Sequence, residues 1–471
     1  MRMLDHVGAV EEWAREEFGS VDLGDVRRGR RLQDVAARMA SRPGSSLPKL
    51  FPKWRDLKSV YGLFRRKESR LDRIESEHWS RVRRKCGEAG EYLLVQDTTS
   101  LDYSGHFSVE GLGRIGDDGG RGFMLHTTLA LRLEGAQEEG LGYRVIGLAH
   151  QKIWSRVDDT HHGRESRRER LARPRESLVW SDCVGEIGLA PRGGESSWVL
   201  VGDRGADVYE TLVSCRSQGL EFLLRACQDR VVEGGDHLFS VSRSAPSLGS
   251  FALHLRGRGG RVSREARLEV SAVEVALRPP WRPGRGLGEG QWERVWAVRV
   301  WEEAAEEGKP ALEWILLSSR PVRGFGEARG AAERYQLRWT IEEYHKCLKT
   351  GLWVESHQLK RADRLEGVIA VAGVVAVRLL ALKTLARLHP QSPASSLPFP
   401  SLWLDVLRSW YSQFGPVARW DAESVIKALG RLGGHLGRRR DGLPGWQALW
   451  CGWLRLQDMV MGAEIYGGKF G

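Results

Sequence analysis

Two short apolar runs, each ending in an aspartate, place the strongest constraint on the fold of this chain. One is Leu93-Leu-Val-Gln followed by Asp97, and the other is Val199-Leu-Val-Gly followed by Asp203. Short runs rich in branched apolar residues are typical of buried strands, so each aspartate is expected at a strand end, facing a cleft. A turn or N-cap role would explain either aspartate taken singly. The pair therefore predicts a sheet that carries two carboxylates.

Similar short apolar runs and helical spacing predict the rest of an α/β fold. Further strands are expected over 123–133, 143–150, 221–225 and 314–319, and a helix over 206–217. Residues from about 228 to 310 alternate apolar and polar side chains and are broken by Gly and Pro, which predicts an inserted, twisted antiparallel unit. The basic stretch from Arg164 to Arg175 is expected to form loop and solvated helix.

Helical spacing dominates both ends of the chain. We expect an all-α N-terminal domain over 1–80, a catalytic domain over 81–388 and a helical C-terminal domain over 389–471, entered through a Pro/Ser-rich linker that begins at His389. The candidate core residues of the N-terminal domain are Trp13, Phe18, Leu32, Val35, Tyr61 and Phe64. The apolar stretch from Gly367 to Val377 predicts a buried helix, since it is well short of the roughly 18 apolar residues that span a bilayer.

Charge and cysteine usage favour an intracellular protein with a polyanionic partner. Lys and Arg number 72 against 61 Asp and Glu, a net charge of +11. Such a balance favours nucleic acid, although arginines on a solvated surface would also account for it. The six cysteines form no CxxC pair or zinc-type cluster, and are expected to be reduced thiols in a cytoplasmic protein. The charged N-terminus predicts no export signal.

A third carboxylate is needed if the two aspartates serve phosphoryl transfer, because two hard cations about 3.5–4 Å apart need several oxygen ligands. The segment from Ala331 to Lys349 predicts one long helix, in which Tyr335, Arg338, Glu342 and Lys349 follow one another at intervals of three, four and seven residues. These steps keep the four side chains near one face. Glu343 is the rival of Glu342, and a solvated charged face is the alternative explanation of the helix.

These residues resemble the signature of the bacterial cut-and-paste DDE transposases of the insertion-sequence-four group: Tyr, two residues, Arg, three residues, Glu, six residues, Lys. The resemblance continues over nearly the whole chain, in the segments 23–31, 96–100, 202–204, 312–319, 376–380, 431–434 and 446–453. It implies an RNase H-like catalytic core with a β-rich insertion between the second Asp and the Glu. It also implies that Asp97, Asp203 and Glu342 are the catalytic residues and the ligands of two Mg²⁺ ions, for which Mn²⁺ can substitute.

The resemblance further implies which residues contact DNA. Tyr335, Arg338 and Lys349 would hold transposon-end phosphates near the scissile bond. Trp314 would stack on a flipped base during a DNA hairpin step, with packing in the strand core as the alternative. Basic residues matching end-contacting positions are Arg27, Arg28 and Arg31, together with Arg225 at a strand end. His126, His345 and Lys346 also match family positions, but a structural role is the commoner explanation of a lone histidine.

Two departures from the family pattern concern end recognition. Residues 355–358, Glu-Ser-His-Gln, replace a more arginine-rich stretch, and the 164–175 segment is more basic. The end sequence that is recognised must therefore differ.

The C-terminal region contains Trp446, Trp450 and Trp453 at helical spacing. The resemblance places a dimerisation surface here, and burial of these rings in the domain's own core is the alternative.

The predicted function is thus a transposase that nicks transposon ends, passes through a DNA hairpin and joins the 3′ ends to target DNA as a homodimer, in the bacterial cytoplasm at the nucleoid. The rival functions are a non-catalytic end-binding regulator and a metal-dependent nuclease without strand transfer. A glycosidase with paired carboxylates is a more remote rival, which would explain neither the arginines nor the signature.

Overall fold

A computed structural model describes residues 4–467, except 117–118, 138–139, 157–174, 192, 256–263, 281–291, 303–310, 398 and 439–440. Almost all of the basic 164–175 stretch lies outside the described residues. So do residues 281–291 of the Pro/Gly-rich segment. The fold is mixed α/β, as the sequence predicts, with one large sheet and helices packed on it.

Helices form the N-terminal part of the chain: α1 (Leu4–Phe18), α2 (Val26–Ser41), α3 (Leu47–Leu50), α4 (Trp54–Phe64) and α5 (Leu71–Cys86). The carboxylate of Asp25 caps α2 by accepting a hydrogen bond from the backbone N–H of Arg27 at 2.8 Å. The predicted core is confirmed, since Phe18, Leu32, Val35 and Phe64 are buried and the two other predicted rings, Trp13 and Tyr61, are partly buried against them.

Helix α5 connects these helices to the sheet and runs past residue 80. Its His78 lies between two elements: Nε2 accepts a hydrogen bond from the backbone N–H of Leu148 at 3.0 Å, and Nδ1 lies 2.6 Å from a carboxylate oxygen of Glu17 in α1. Because Nε2 is the acceptor, the ring proton is on Nδ1 and is donated to Glu17. A single buried imidazole thus holds α1 and the sheet in a fixed relation.

Ten strands form the sheet: β1 (Gly90–Asp102), β2 (Gly113–Ile115), β3 (Gly120–Gln137), β4 (Gly140–Trp154), β5 (Ser196–Gly202), β6 (Glu221–Arg225), β7 (Gly249–Leu255), β8 (Arg264–Leu277), β9 (Glu293–Trp301) and β10 (Glu313–Ser318). Their order is β2-β3-β1-β5-β6-β10-β9-β8-β7, and β4 pairs with β3. β1, β5 and β6 are parallel to one another, whereas β1, β3 and β4 pair in antiparallel fashion.

The predicted insertion is antiparallel, but it does not form a sheet of its own. β7, β8 and β9 pair in sequence, β9 pairs with β10, and β10 pairs with β6, so these strands extend the central sheet. The sequence could not show this, since alternation identifies a strand and its buried face but not its neighbour.

Helices cover the sheet on both faces. α6 (Val179–Ile187), α7 (Tyr209–Gln218) and α8 (Leu238–Ser244) follow or lie between strands, and Leu212, Trp180 and Leu238 share one core cluster with inward residues of β1, β5 and β6. The larger core lies on the opposite face, around the helices that follow β10: α9 (Phe325–Gln336), α10 (Trp339–Lys346) and α11 (Ala362–Leu388). α11 is long and apolar enough to cross a membrane by length and composition, but 83% of its most apolar window is buried inside the protein. The predicted buried helix is confirmed.

The prediction of one continuous helix over 331–349 is wrong. α9 ends at Gln336, and the backbone N–H groups of Leu337 and Arg338 donate to Arg334 and Tyr335 in a tightened turn before α10 begins. α10 then passes into a π-helical turn, Cys347–Gly351. No Pro or Gly marks the break in the sequence, so local pattern gives no sign of it.

The C-terminal part consists of α12 (Ser401–Ser412), α13 (Ala422–Leu432) and α14 (Trp446–Gly467). Trp446, Trp450 and Trp453 are buried within the chain itself. Their apolar stripe therefore packs in the chain's own core, which was the alternative to a dimer surface.

Two glycines set how closely α13 and α14 approach. A Cβ on Gly452 would lie 1.8 Å from the carbonyl oxygen of Leu429, and one on Gly433 would lie 1.7 Å from that of Ala448. Both glycines belong to segments that carry the family resemblance, and the packing supplies a physical reason for them.

We expect Gly452→Ala to destabilise the C-terminal helices by about 1–3 kcal/mol or more, because the added methyl group forces two backbones apart. Gly462→Ala on the same helix is the matched control, since a Cβ there meets no atom within 4 Å. The control should be neutral or more stable by about 0.5–1 kcal/mol. Urea unfolding followed by tryptophan fluorescence measures both, and equal stability of the two variants would contradict the close backbone approach.

Candidate active site

The site forms where parallel pairing between β1 and β5 stops. The last paired residues are Val95 and Val201, so both strands emerge from their shared ladder just before Asp97 and Asp203. The expectation that both aspartates end their strands is correct for Asp203 and wrong for Asp97, because β1 continues to Asp102 and Asp97 stays paired with Thr127 of β3. Asp97 is thus held more firmly than a residue in a loop.

Asp203 also has a local structural role. Its Oδ1 accepts a hydrogen bond of 2.7 Å from the backbone N–H of Gly205, and it caps the short 3₁₀ turn Arg204–Ala206. The capping explanation and the site explanation therefore hold together, since one carboxylate oxygen caps the turn and the second is left for other partners.

Arg338 lies between the acidic residues. Its Nη2 donates to Oε1 of Glu342 at 2.5 Å, and its Nη1 lies 3.9 Å from Oδ2 of Asp97. Although burial alone would lower it, the pKa of Arg338 is raised by the carboxylate of Glu342 and by Asp97. A mostly buried guanidinium thus offsets part of the negative charge at this point.

The pKa of Asp97 is strongly shifted. Burial, together with the negative charges of Asp203 and Glu342, raises its pKa to about 7 against the pull of Arg338. Mutual repulsion of this kind shows that the three carboxylates share one electrostatic site. The structure therefore brings together the three acids that the sequence singles out.

Glu343 points elsewhere. Its Oε2 accepts hydrogen bonds from Nζ of Lys383 in α11 at 2.6 Å and from Nε1 of Trp446 in α14 at 2.8 Å. Adjacent residues on a helix face different directions, so Glu342 turns toward Asp97 while Glu343 ties the C-terminal helices to the core.

The other signature residues surround the acids. The phenol of Tyr335 is buried, which raises its pKa, and the nearby guanidinium groups of Arg338 and Arg225 oppose that shift. Lys349, in the π-helical turn, has its pKa lowered by burial, and Asp97 is among the acids that oppose this shift. Its Nζ lies 4.0 Å from Oε1 of Glu355, so the 355–358 departure supplies the lysine with an acidic partner.

Trp314 is buried, with 8% of its surface exposed, and its ring meets the ring of Tyr335 edge to face at a centroid distance of 5.3 Å. In this arrangement Trp314 packs in the strand core, which was the alternative to base stacking. Its ring supports Tyr335, and a base could reach it only after the side chain moved.

The sequence favours a structural role for His345, but in the structure its side chain lies beside the acids. Its Nδ1 is 3.8 Å from Oδ2 of Asp97, and burial lowers the pKa of its imidazole to about 3. It lies three residues after Glu342 on α10, a spacing that returns it to the same side of the helix. His126, in contrast, contacts Thr98 and the ring of Trp180.

The donor set fits hard divalent cations in its chemistry, since three carboxylates from β1, the end of β5 and α10 offer oxygen ligands. In the described part of the chain, no three His, Cys, Asp or Glu side chains are arranged to hold a single ion. Two of the three acids are already bound by groups of the chain itself, since Arg338 binds Glu342 and the Gly205 N–H binds Asp203. A cation would have to share Glu342 with the guanidinium.

A second basic surface lies on the N-terminal helices. Arg27 has 90% of its side chain exposed, whereas Arg28 donates to the carbonyl of Leu23 and Arg31 pairs with Asp34 and Asp56. All three arginines make contacts within the chain, since Nε of Arg27 lies 3.5 Å from Oδ1 of Asp25, but the side chain of Arg27 remains mostly exposed. Exposed residues that the sequence did not single out are Arg30, Lys53, Trp54 and Arg55. Lys53 to Arg55 begin α4 beside Asp56, the partner of Arg31.

Comparison with known proteins bears on these helices. Residues 10–68 match the family model described as transposase DNA-binding. Among solved structures, the chain is similar to a piggyBac transposase in a synaptic complex with hairpin DNA, determined by cryo-electron microscopy. The identity is 11%, the TM-score is 0.37, and the alignment covers 82% of this chain and 74% of that chain. Only the N-terminal match bears on function, and it identifies α2 to α4 as similar to a DNA-binding domain of transposases.

We expect Asp97→Asn to stabilise the cation-free protein at pH 8 but not at pH 4. The pKa of Asp97 rises from an ordinary value of 3.8 to about 7 on folding, so ionised Asp97 lowers stability as pH rises from 4 to 7, by up to roughly 1.4 kcal/mol per pKa unit. Denaturant unfolding in EDTA at the two pH values measures this. An unchanged difference between variant and parent at pH 4 and pH 8 would contradict the charge cluster.

Proposed function

We propose that this protein is a DNA transposase of the DDE type, of the insertion-sequence-four group, that cuts and joins DNA at the site formed by Asp97, Asp203 and Glu342. The observation that carries the proposal is the electrostatic coupling of these three acids around Arg338. The family match of residues 10–68 to transposase DNA-binding domains supports the same conclusion from a separate part of the chain.

The strand order supports an RNase H-like core. β4-β3-β1-β5-β6 has three antiparallel strands followed by two strands parallel to β1. One aspartate lies on the first strand, the second follows the first parallel neighbour, and the glutamate lies on a later helix. This is the arrangement that the family resemblance implies, with β7 to β9 as the insertion.

Asp97, Asp203 and Glu342 would hold two Mg²⁺ ions, with Mn²⁺ as a substitute. When bound, such ions activate water and stabilise the attacking and leaving oxygens of in-line displacement at phosphorus. The chain's own residues would hold the DNA. Arg338, which has several donors in a fixed plane, suits bidentate contact with a phosphate, and Lys349 supplies a point charge. The Tyr335 hydroxyl, beside Arg225, would orient the same phosphate group.

The proposed sequence of reactions is hydrolysis at each transposon end, attack of the freed 3′-hydroxyl on the opposite strand to give a hairpin, hairpin opening, and joining of the 3′ ends to target DNA. Each step exchanges one P–O bond for another. One site can therefore serve all of them if the DNA is repositioned between steps.

We also propose that two copies meet on DNA, since pairing two ends needs two active sites. Because Trp446, Trp450 and Trp453 are buried, the contact surface would have to come from exposed apolar residues of the C-terminal helix, such as Leu454, Met461 and Ile465. The protein would act in the bacterial cytoplasm, at the nucleoid.

We expect Asp97→Ala, Asp203→Ala and Glu342→Ala each to abolish cleavage of end DNA while leaving end binding largely intact, because each removes a metal ligand and no phosphate contact. Glu343→Gln is the matched control, since it keeps an acceptor for Lys383 and Trp446 and should retain most cleavage. Incubation with a duplex carrying the inverted repeat, a target plasmid and Mg²⁺ measures nicked, hairpin and joined products. Full cleavage by any of the three alanine variants would refute the assignment, and nicks without joined products would favour a nuclease.

We expect Arg27→Ala to weaken binding to end DNA and to lower the slope of log affinity against log salt by about one unit, as for the loss of one phosphate contact. If Arg27 contacts a base, discrimination between end and unrelated DNA should fall instead. Arg408→Ala, also at an exposed position but on α12 outside the matched segment, is the control. Fluorescence anisotropy at several salt concentrations measures both, and an unchanged slope and specificity would make Arg27 an ordinary surface charge.

A further inference from the structure

A chain of buried polar side chains leads from Asp97 into the core. His345 Nε2 lies 3.3 Å from Oγ1 of Thr127, the strand partner of Asp97. Thr127 Oγ1 lies 2.6 Å from one end of the Gln151 side-chain amide, and the other end of that amide is 3.0 Å and 3.2 Å from the two carboxyl oxygens of Glu75 in α5. These contacts join α10, β3, β4 and α5. Apart from Asp97, none of these side chains has a role in the chemistry proposed above.

Glu75 is fully buried and has no basic partner among the described residues. Its carboxyl group accepts a hydrogen bond from the indole N–H of Trp79 at 2.9 Å and lies against the amide of Gln151, and the hydroxyl of Tyr344 lies 3.1 Å from the same amide. Burial raises the pKa of Glu75 well above its ordinary value. An isolated buried carboxylate is costly, so the neutral acid is the favoured form.

Gly373 of α11 leaves room for this network. A Cβ there would lie 3.0 Å from Glu75 Oε1 and 3.1 Å from both the Gln151 amide and the Tyr344 hydroxyl. Because Gly373 has no side chain, the backbone of α11 lies directly against the polar chain and encloses it tightly.

The protonation of Glu75 fixes the direction of every hydrogen bond in the chain. A neutral Glu75 donates its O–H, which only the carbonyl end of Gln151 can accept. The amide NH₂ of Gln151 then donates to Thr127 Oγ1, and Thr127 donates its own proton to His345 Nε2. The neutral imidazole must then have its proton on Nδ1, the nitrogen 3.8 Å from Asp97 Oδ2. An ionised Glu75 would reverse each step and leave a lone pair facing Asp97.

We propose that Glu75 is a positioning residue that, through Gln151 and Thr127, fixes the His345 proton on Nδ1 and so presents an N–H to Asp97. At 3.8 Å this is an electrostatic contact and no hydrogen bond. It favours the ionised carboxylate that a cation ligand must be, in the way that outer partners of metal ligands orient them. The importance of the contact for DNA cleavage rests on the proposed function, but the proton arrangement itself does not.

The test measures the His345 tautomer and the cleavage rate in the same full-length variants. Long-range proton–nitrogen spectra of protein labelled with ¹⁵N-histidine distinguish Nδ1–H from Nε2–H, and the His345 signal is assigned by its loss in His345→Gln. We expect Nδ1–H in the parent chain and in Glu75→Gln, whose amide can donate to Gln151 and accept from Trp79 as the neutral acid does.

Glu75→Leu leaves the Gln151 amide free to turn its carbonyl toward Thr127 and should move the proton toward Nε2, while Thr127→Val removes the hydroxyl that donates to Nε2. They should also lower the single-turnover rate of end-duplex nicking in Mg²⁺ about 10- to 100-fold. Thr128→Val is the matched control, since Thr128 neighbours Thr127 on β3 but is bonded to Gln96. It should retain Nδ1–H on His345 and the parent rate.

Nε2–H in the parent chain, or an unmoved proton in Glu75→Leu, would overturn the proposal. So would Glu75→Gln falling to the nicking rate of Glu75→Leu. If the tautomers are as expected and the parent chain does not cleave end DNA, the proposed function fails while the assigned proton arrangement stands.

Discussion

Repulsion among three carboxylates is the constraint on which the rest of this site depends. Asp97, Asp203 and Glu342 share one partly buried place, where burial and mutual repulsion raise the pKa of Asp97 to about 7. Such a cluster persists only if its backbone is fixed by other forces. Asp97 is fixed by a continuous strand, Asp203 by its capped turn and Glu342 by a helix packed against α11, while Arg338 supplies a compensating charge. The fold therefore keeps the three acids close together at a cost in stability.

Much of the fold could be predicted from local patterns. The apolar runs before Asp97 and Asp203, the aromatic core of the N-terminal helices and the buried helix from Gly367 to Val377 were recognisable, since periodicity and burial are encoded in nearby residues. The predicted spacing brought Arg338 beside Glu342 even though the helix that carries them is broken. The four-residue interval from Arg338 to Glu342 lies at the start of α10, so the break before Arg338 does not disturb that pair.

What the sequence could not supply was tertiary partnership. Arg27, Arg28 and Arg31 look alike in sequence, and only the structure shows that Arg27 stays mostly exposed beside Asp25, whereas Arg28 and Arg31 are held by Leu23, Asp34 and Asp56. Trp314 and the three C-terminal tryptophans are equally ambiguous, because a large ring serves a core or a contact surface with the same composition. Glu75 gave no signal at all, since it occurs in a strongly charged helix and its burial depends on β4, α10 and α11.

His78 has a consequence for how the first helices could be exchanged between related proteins. By bonding to Glu17 of α1 and to the backbone of Leu148 in β4, it makes α5 a link between the first helices and the sheet. The first helices are therefore no detachable module on a flexible tether. A chimaera joined within α5 would separate His78 from one of its two partners, whereas a junction in the loop between α4 and α5, residues 65–70, would require the donor's α1 to bring its own acid for the recipient's imidazole. The first helices and the sheet are in this way joined by geometry, so a change in either has to preserve the contacts of His78.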